Sequence, residues 1–196
     1  MSSPVTTLPL VIGESEHWLP PARLLAELQI RPGMNVCEIG SGKAFYTVPL
    51  GHGVGPAGNV FAVEWRPSLV DELRVRLRTP GEPNNICLVA RPPADTSLAE
   101  ASCDLVIFAD IWHAVEERDA ALDEARRILR PGGRLAIFNW RPEAAWVPGP
   151  PMEHRVSMRH TLCAVERKSW SLVGSGTAGL DGYLLVFEVT DESVQS

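Results

Sequence analysis

The sequence has few of the features that would place a chain outside the ordinary globular proteins. It has four cysteines among 196 residues, and no two of them form the C-x-x-C pair that is typical of zinc sites and redox-active disulfides. No cluster of His, Cys and Asp has the spacing of a metal site either. We therefore predict no bound metal, and we expect Cys37, Cys87 and Cys103 to pack reduced in the core.

Positive charge is also in short supply. The chain has 18 Lys and Arg against 24 Asp and Glu, a net charge of -6 at pH 7, so it offers no basic field for a phosphate backbone. It shows neither the pattern of a signal peptide nor an apolar run long enough to cross a membrane. These absences predict a cytoplasmic protein that binds neither nucleic acid nor membrane. They favour a small-molecule substrate and leave the oligomeric state open.

What the sequence does have is a globular composition and a regular alternation of patterns. Hydrophobic residues make up 45% and charged residues 21% of the chain, which is enough apolar surface for one core. Short apolar runs typical of buried parallel strands alternate with segments of helical periodicity. The pattern predicts one α/β domain over residues 1–196, with a doubly wound sheet and an N-terminal tail over 1–19.

The same patterns predict the individual elements. Strands are expected at 34–39, 60–64, 85–90, 104–109 and 134–140. Helices are expected from Pro20-Pro21 to Pro32-Gly33, from Pro67, over 117–130 with Pro131-Gly132-Gly133 as its end, and over 157–168. The prolines of 141–156 predict an irregular connection that could lie over the site as a lid. Strands at 169–174 and 183–189, joined by a turn with Gly174, Gly176, Gly179 and Gly182, should form an antiparallel edge hairpin.

A glycine-containing turn follows the first predicted strand. Gly40-Ser41-Gly42 lies where the chain must turn toward a helix, so the backbone can approach a ligand closely. A dinucleotide fingerprint would need a further glycine where Phe45 stands, so nicotinamide or flavin binding is less favoured. A phosphate-binding loop would need glycine at Cys37 and a hydroxyl at Ala44, and this interpretation is excluded.

Two acidic residues lie at the ends of the first two predicted strands. Glu38 is placed in a buried strand, where a carboxylate is costly unless a positive or hydrogen-bonding partner meets it; a ligand ammonium would be one such partner. Glu64 ends the second strand, where a carboxylate can accept both hydrogens of a ribose diol. Trp65 offers an aromatic wall for a base. Together these residues predict a nucleoside ligand that carries positive charge.

These motifs and two later segments resemble the class I S-adenosylmethionine-dependent methyltransferase family. The segment CDLVIF at 103–108 is similar to the family's fourth-strand motif, and LDEARRILRPGG at 122–133 is similar to its helix-to-strand signature. The resemblance covers roughly residues 20–140 and is nearest to the small methyltransferases of the ubiquinone/menaquinone type. It implies a Rossmann-like, mostly parallel sheet with an antiparallel C-terminal hairpin, and S-adenosylmethionine as the cofactor.

The resemblance also implies roles for single residues. It places Glu38 near the methionine part of the cofactor, with Gly40, Ser41 and Gly42 making room for it. It gives Glu64 the ribose, and it sets Trp65 and Ala90 beside the adenine. The sequence departs from the family at two places: Ala44 stands where a third glycine is usual, and Ala90-Arg91-Pro92-Pro93 replaces the usual Gly-Asp after the third strand.

The segment after the fourth predicted strand supplies the candidate catalytic residues. Asp110, Trp112 and His113 should lie at the carboxyl edge of the sheet, near the reacting methyl group. Methyl transfer from a sulfonium is an in-line displacement whose leaving group needs no proton, so a catalytic base is optional. His113 has a suitable reference pKa for that base, and Asp110 is predicted as a second catalytic residue and as a cofactor contact. The alternatives are packing roles for His113 and for Trp112 and Trp146.

Three functions are compatible with the pattern. A methyltransferase that acts on a small-molecule acceptor is favoured. The alternative, motivated by Ala44 and by the missing Gly-Asp, is a binding or regulatory protein that keeps the fold without transferring a methyl group. Another transferase on the same scaffold, such as an aminopropyl transferase, is a third hypothesis.

Overall fold

Eight β-strands form one mixed sheet in the computed structural model, which describes residues 6–7 (backbone only), 19–144, 150–179 and 181–190. The strands are β1 (Thr6–Thr7), β2 (Asn35–Ile39), β3 (Asn59–Val63), β4 (Ile86–Val89), β5 (Cys103–Ala109), β6 (Leu129–Trp140), β7 (Trp170–Ala178) and β8 (Gly182–Val189). The helices are α1 (Pro21–Glu27), α2 (Thr47–Val54), α3 (Pro67–Arg76), α4 (Arg118–Ile128) and α5 (Met158–Glu166). Two 3₁₀ turns cover Trp112–Ala114 and Met152–His154.

The strand order is β1-β7-β8-β6-β5-β2-β3-β4. The strands from β6 to β4 in this order are parallel, whereas β8 runs antiparallel to both β6 and β7. The chain leaves β2 for β3 and β4 on one side and then returns to β5 on the other. In open α/β sheets ligands bind outside the carboxyl ends of the strands at such a reversal. The predicted doubly wound, mostly parallel fold is therefore confirmed, and it directs attention to the ends of β2 and β5.

Alternate residues of the central strands face two separate apolar layers. Cys37 of β2 and Val106 of β5 lie in a core with Leu122 of α4. Val36 and its neighbours on the opposite face lie in a second core with Leu50 of α2. Burying one such leucine contributes about 1.5–3 kcal/mol relative to leaving it exposed. Because both faces are covered, β2 and β5 are held side by side, and their ends form a fixed edge.

Two predicted helix ends are wrong. α4 ends at Ile128, and Pro131-Gly132-Gly133 lies inside β6 instead of terminating the helix. Leu129 already has extended backbone angles and pairs with Cys103, after which the register between β5 and β6 shifts. Gly132, with φ +75°, accommodates this irregularity. α1 likewise ends at Glu27, well before the predicted stop at Pro32-Gly33.

The predicted antiparallel C-terminal hairpin is confirmed, but its turn is shorter than predicted. β7 continues through Gly174 and Gly176 to Ala178, which pairs with Gly182. A Cβ atom on Gly182 would lie 2.4 Å from the carbonyl oxygen of Ala178. Close pairing at the end of the hairpin therefore requires glycine at position 182, where β8 begins.

Cys87 is also placed differently from the expectation. Cys37 and Cys103 are buried, but Cys87 is exposed because β4 is the last strand of the sheet on its side. No helix in the described parts of the chain is both long and apolar enough to cross a membrane. Residues 145–149 of the predicted lid, including Trp146, and most of the predicted tail lie outside the described residues.

Candidate active site

The glycine turn after β2 is fixed by the end of β3. The amides of Gly40 and Ser41 donate to the carbonyl oxygen of Val63 at 2.8 and 3.0 Å. Gly40 has φ +81°, and a Cβ atom there would lie 2.4 Å from Ile111, so only glycine lets the turn pack against the segment after β5. Gly42 has φ +53°, and the nearest atom to a Cβ there would be 3.9 Å away. The turn therefore leaves open space beside Gly42.

Ala44 stands at the position of the family's third glycine and keeps a glycine-like backbone. Its φ is +67°, a conformation that costs a residue with a side chain about 1–2 kcal/mol. The methyl group is buried against Ala62 and Leu73. This apolar contact offsets part of the strain, so alanine is accommodated in the turn.

Glu38 and Glu64, the two acidic residues predicted from the strand ends, lie at the same edge of the sheet. Glu38 pairs in register with Ala62, two residues before Glu64, and Thr47 donates its hydroxyl hydrogen to Glu38 Oε2 at 2.5 Å. Burial raises the pKa of Glu38 to about 7, opposed by hydrogen bonds from Thr47 and Ser41 and assisted by the charge of Glu64. Glu38 can therefore become more negative when a cation approaches.

Glu64 is fully buried, and both of its oxygens are engaged by the protein itself. Oε1 accepts from the amides of Trp65 and Arg66 at 2.9 and 3.0 Å and from Arg66 Nε at 2.9 Å. Oε2 accepts from the Gly42 amide at 3.0 Å and from Arg66 Nη2 at 2.8 Å. Burial acts to raise the pKa of Glu64, but the bonds and charge of Arg66 hold it below its usual value. Glu64, the residue predicted to bind the ribose, is thus paired with Arg66 in this structure.

A cavity of about 780 Å³ opens at the carboxyl edge of β2, β5 and β6. The predicted site residues that line it are Glu38, Gly40, Ser41, Gly42, Asp110 and His113. Sequence analysis did not single out Tyr46, Arg66, Leu69 and Trp140, which also line it. Tyr46 lies just after the glycine turn, and Trp140 is the last residue of β6. Their closeness to the carboxyl ends of strands was the signal that could have identified them. Phe45, 53% exposed, stands at the cavity as well.

Trp65 and Ala90 do not line this cavity. Trp65 borders a smaller cavity of about 190 Å³ together with the proline-rich segment after β4. The two cavities share Ala114. Ala90 is exposed and borders neither, because β4 ends at Val89 and the Arg91 amide turns back to the Val89 carbonyl at 3.0 Å. The structure therefore brings Trp65, but not Ala90, to the edge of the site.

Asp110 lies directly after β5 in a strained conformation. Its φ is +57°, and its amide donates to the carbonyl oxygen of Phe138 at 2.9 Å. Its Oδ1 is buried and has no hydrogen-bond partner among the described residues. Burial raises the pKa of Asp110 to about 7, while a hydrogen bond from Trp140 acts in the opposite direction. A buried carboxyl oxygen left in this way at a cavity wall is stabilised by a ligand cation or donor.

His113 lies in the 3₁₀ turn that follows, at the same cavity. Its Nδ1 is 3.0 Å from Oδ1 of Asn139, a fully buried residue of β6 that sequence analysis did not single out. Burial lowers the pKa of His113, and the hydrogen bond with Asn139 partly opposes this. A neutral imidazole can accept a proton. The neighbouring Trp112 is fully buried against Phe108 and takes the alternative packing role.

Comparison with known proteins agrees with this arrangement. Residues 37–137 match the methyltransferase domain family. The ubiquinone/menaquinone biosynthesis C-methyltransferase UbiE of Shewanella frigidimarina is 30% identical over 110 residues, which are 56% of this chain and 44% of that protein. The chain thus spans less than half the length of the curated relatives it matches.

Solved structures share the fold. A SAM-dependent methyltransferase from Aquifex aeolicus has a TM-score of 0.84 and 23% identity, over 89% of this chain and 92% of that chain. Fibrillarin from Aeropyrum pernix, solved with natively bound S-adenosyl-L-methionine, has a TM-score of 0.63 and 16% identity, over 81% and 68% of the two chains. Since the matched segment runs from β2 to β6 and includes Glu38, the glycine turn and Asp110, the chain belongs to the methyltransferase domain family.

Proposed function

We propose that this protein is an S-adenosylmethionine-dependent methyltransferase that acts on a small-molecule acceptor. The observation that carries the proposal is the pair of acidic side chains, Glu38 and Asp110, at the wall of one cavity beside a glycine turn. Burial raises the pKa of both to about 7, so both gain from an approaching cation. The cofactor carries an ammonium and a sulfonium group, and fibrillarin, which has the same fold, is named as binding it.

The residues at the cavity fit this cofactor. Asp110 Oδ1 lacks a partner within the described part of the chain, and Gly42 leaves room for close approach. We assign the methionine part to Glu38 and the Gly40-Ser41-Gly42 turn, with Asp110 facing its charged end. When bound, the cofactor supplies a methyl group that is attached to a sulfonium sulfur. The sulfur is the leaving group and becomes a neutral thioether. The chain itself positions the acceptor, excludes water and provides a group to hold a proton.

Glu64 is the proposed ribose ligand, and Arg66 is the group that has to give way. The ribose hydroxyls would replace the two side-chain donors of Arg66, while the backbone donors, including the Gly42 amide, remain. The Arg66 side chain is 41% exposed and stacks on Trp65 at 5.2 Å, so solvent can receive the released guanidinium. Trp65 would then border the adenine at the smaller cavity.

The remaining wall of the main cavity indicates the kind of acceptor. Phe45, Tyr46, Leu69 and Trp140 present mostly apolar and aromatic surface, which suits a small molecule with an apolar or planar part. His113 is the proposed base, and Asp110 is the second polar group near it. The curated relatives are named for ubiquinone/menaquinone biosynthesis, which supports a small molecule as the acceptor.

A second candidate function has its own supporting observation. The pairing of Arg66 with Glu64 occupies the proposed ribose ligand. If this pair does not open, the protein keeps the fold but transfers no methyl group. That candidate is a binding or regulatory role.

Calorimetry combined with a product assay separates these functions. The protein is titrated with S-adenosylmethionine and with its decarboxylated form, and a metabolite pool is then screened for release of S-adenosylhomocysteine. We expect saturable binding of S-adenosylmethionine and release of S-adenosylhomocysteine with one class of small molecule. Binding without release across the pool favours the second candidate, preference for the decarboxylated form indicates an aminopropyl transferase, and no binding contradicts the proposal.

A further inference from the structure

Asn139 is a polar residue at the end of an otherwise apolar strand segment. It lies between Phe138 and Trp140 in β6 and has no exposed surface. A buried amide is costly unless its hydrogen bonds are made. Its Oδ1 lies 3.0 Å from Nδ1 of His113, 26 positions earlier in the chain. The hydrogen bond that offsets the burial of this amide is therefore made with the His113 ring, which lines the cavity.

We infer that Asn139 is a positioning residue that fixes His113 as the Nδ1–H tautomer, and that the methyl acceptor carries a proton on the atom that is methylated. The inference rests on the proposed function. An amide oxygen can only accept a hydrogen bond, so Nδ1 of a neutral His113 must carry the hydrogen. The lone pair is then on Nε2, the ring nitrogen left for a ligand in the cavity.

Tyr183 lies opposite Asn139 across the β6–β8 pair. The Tyr183 hydroxyl donates to the Val156 carbonyl at 3.0 Å and lies 2.7 Å from Thr161 Oγ1. Burial raises the pKa of Tyr183, while the side chains of Thr161 and Asn139 act to lower it. The amide nitrogen of Asn139 is buried and has no hydrogen-bond partner among the described residues, so its contact with His113 Nδ1 is made through the amide oxygen.

The proton balance of the transfer gives Nε2 its task. As the acceptor atom bonds to the methyl carbon, the carbon–sulfur bond breaks and its electron pair stays on sulfur, which becomes neutral. The proton of the acceptor passes to Nε2 of His113. The resulting imidazolium still donates from Nδ1 to Asn139, and solvent removes the proton after product release. An O–H, N–H or S–H acceptor needs this step, whereas a nucleophile without such a proton does not.

The charged and titratable groups around His113 make Asn139 a sensitive position. His154, Arg118 and Arg66 all lower the pKa of His113, and Arg118 also donates to the His113 carbonyl at 3.4 Å. Asp110 lies at the same cavity. Asn139 contacts the ring itself and opposes these cations. A carboxylate in its place should therefore raise the pKa of His113 strongly.

The test reads the histidine ring directly, by ¹⁵N NMR of the full chain, with the His113 signals assigned from His113→Gln. The wild type should show the neutral Nδ1–H tautomer. Asn139→Asp should raise the pKa of His113 by about one unit or more. Asn139→Leu should abolish the tautomer preference, because the ring nitrogen Nδ1 then has no amide oxygen to donate to. An Nε2–H tautomer in the wild type, or a tautomer and pKa unchanged in both variants, would overturn the inference.

Kinetics with an acceptor found by S-adenosylhomocysteine release complete the test. Asn139→Leu should lower kcat at least about tenfold with unchanged cofactor Kd, and Asn139→Asp should move the acid limb of the pH profile to higher pH. The matched control is Asn85→Leu, because Asn85 Nδ2 binds the carbonyls of Gly51 and Gly55. It should lower stability and leave the His113 titration unchanged.

The possible failures are distinguishable. Turnover with the same pH profile in the wild type and in Asn139→Asp overturns the inference and leaves the proposed function standing. A wild-type protein that binds no S-adenosylmethionine overturns the proposed function and the base role with it, while the NMR spectra still report which tautomer Asn139 selects.

Discussion

The carboxyl groups on the two sides of β2 have pKa values that are shifted in opposite directions. On the side of β5, burial raises the pKa values of Glu38 and Asp110 to about 7, and Asp110 Oδ1 has no partner among the described residues. On the side of β3, Arg66 and three backbone amides engage both oxygens of Glu64. Although burial acts to raise the pKa of Glu64, Arg66 keeps it below its usual value.

The difference in pKa implies that the two sides bind a ligand differently. The β5 side carries a desolvation cost that a cation would relieve, so it is arranged in advance for the charged end of a ligand. On the β3 side the protein's own cation removes that cost, so a ribose can bind only by exchange with Arg66. Binding of S-adenosylmethionine would then combine a preformed half-site with one that opens on demand.

The largest expected effect is at the turn that joins the two sides. Gly40→Ala should lower the free energy of unfolding by about 3 kcal/mol, because its Cβ would meet Ile111 in a strained backbone conformation. The matched variant Gly42→Ala, which has open space, should cost about 1 kcal/mol and weaken cofactor binding instead. Urea unfolding checks both values, and equal losses of stability would show that the two glycines do not differ as described.

The next effect breaks the β5 side. Asp110→Asn should weaken S-adenosylmethionine binding by about 1.5–3 kcal/mol, the usual contribution of hydrogen bonds to a charged group, as measured by calorimetry. The control Asp123→Asn removes an exposed carboxylate of α4 that lies 2.7 Å from Lys168 Nζ and should change nothing. Equal affinities for Asp110→Asn and the wild type would remove Asp110 from the cofactor site.

A smaller effect sharpens the β3 side. Arg66→Met should tighten cofactor binding roughly two- to fivefold, because the ribose would no longer compete with a guanidinium. The gain is small because the Arg66 side chain is 41% exposed and solvent screens its charge. Arg76→Met is the control, because Arg76 has a similar exposure and pairs with Glu82. Weaker binding by Arg66→Met would show that Arg66 contacts the ligand instead of competing with it.

The smallest effect is on pH dependence. Glu38 and Asp110 must be ionised to attract a cation, so cofactor affinity should rise with pH through about 7, by about twofold over half a unit. Below about pH 7 the α-amino group of the ligand stays mostly protonated, since such groups have pKa values of about 7.7–8.0.

The stability of the free protein should change in the opposite direction. Between the ordinary pKa values of 4.5 and 3.8 and the raised values near 7, the folded state binds more protons than the unfolded state. The free energy of unfolding therefore falls as pH rises through this range. Asp110→Asn should flatten both profiles, and profiles that coincide with those of the wild type would contradict the raised pKa of Asp110.

Some of the site could be predicted from the sequence because the carboxyl ends of adjacent parallel strands lie at the same edge of the sheet. Glu38 lies near the carboxyl end of β2 and Glu64 directly follows β3, and the rule that adjacent parallel strands share a carboxyl edge was enough to bring them together. The same rule applied to the apolar run IFNW would have indicated Asn139 as a partner for the residues after β5. The pairing of Arg66 with Glu64 was not predictable, because it depends on an extended backbone at Arg66 that turns its side chain back.

The misplaced helix end has a similar origin. Pro131-Gly132-Gly133 is a good local stop signal, but Cys103 of β5 pairs with Leu129 and draws the chain into the sheet before that signal is reached. Long-range pairing decides such boundaries, and local pattern does not report it. Ala90 was predicted to border the adenine; it lines neither cavity, because β4 ends at Val89 and the Arg91 amide turns back to the Val89 carbonyl.

A crystal structure with S-adenosylmethionine bound is the most direct test of the two-sided site. The predicted complex has the methionine ammonium within hydrogen-bonding distance of Glu38 or Asp110, the ribose hydroxyls on Glu64, and Arg66 swung toward solvent. A complex in which Arg66 stays on Glu64 while the ligand lies elsewhere would contradict it.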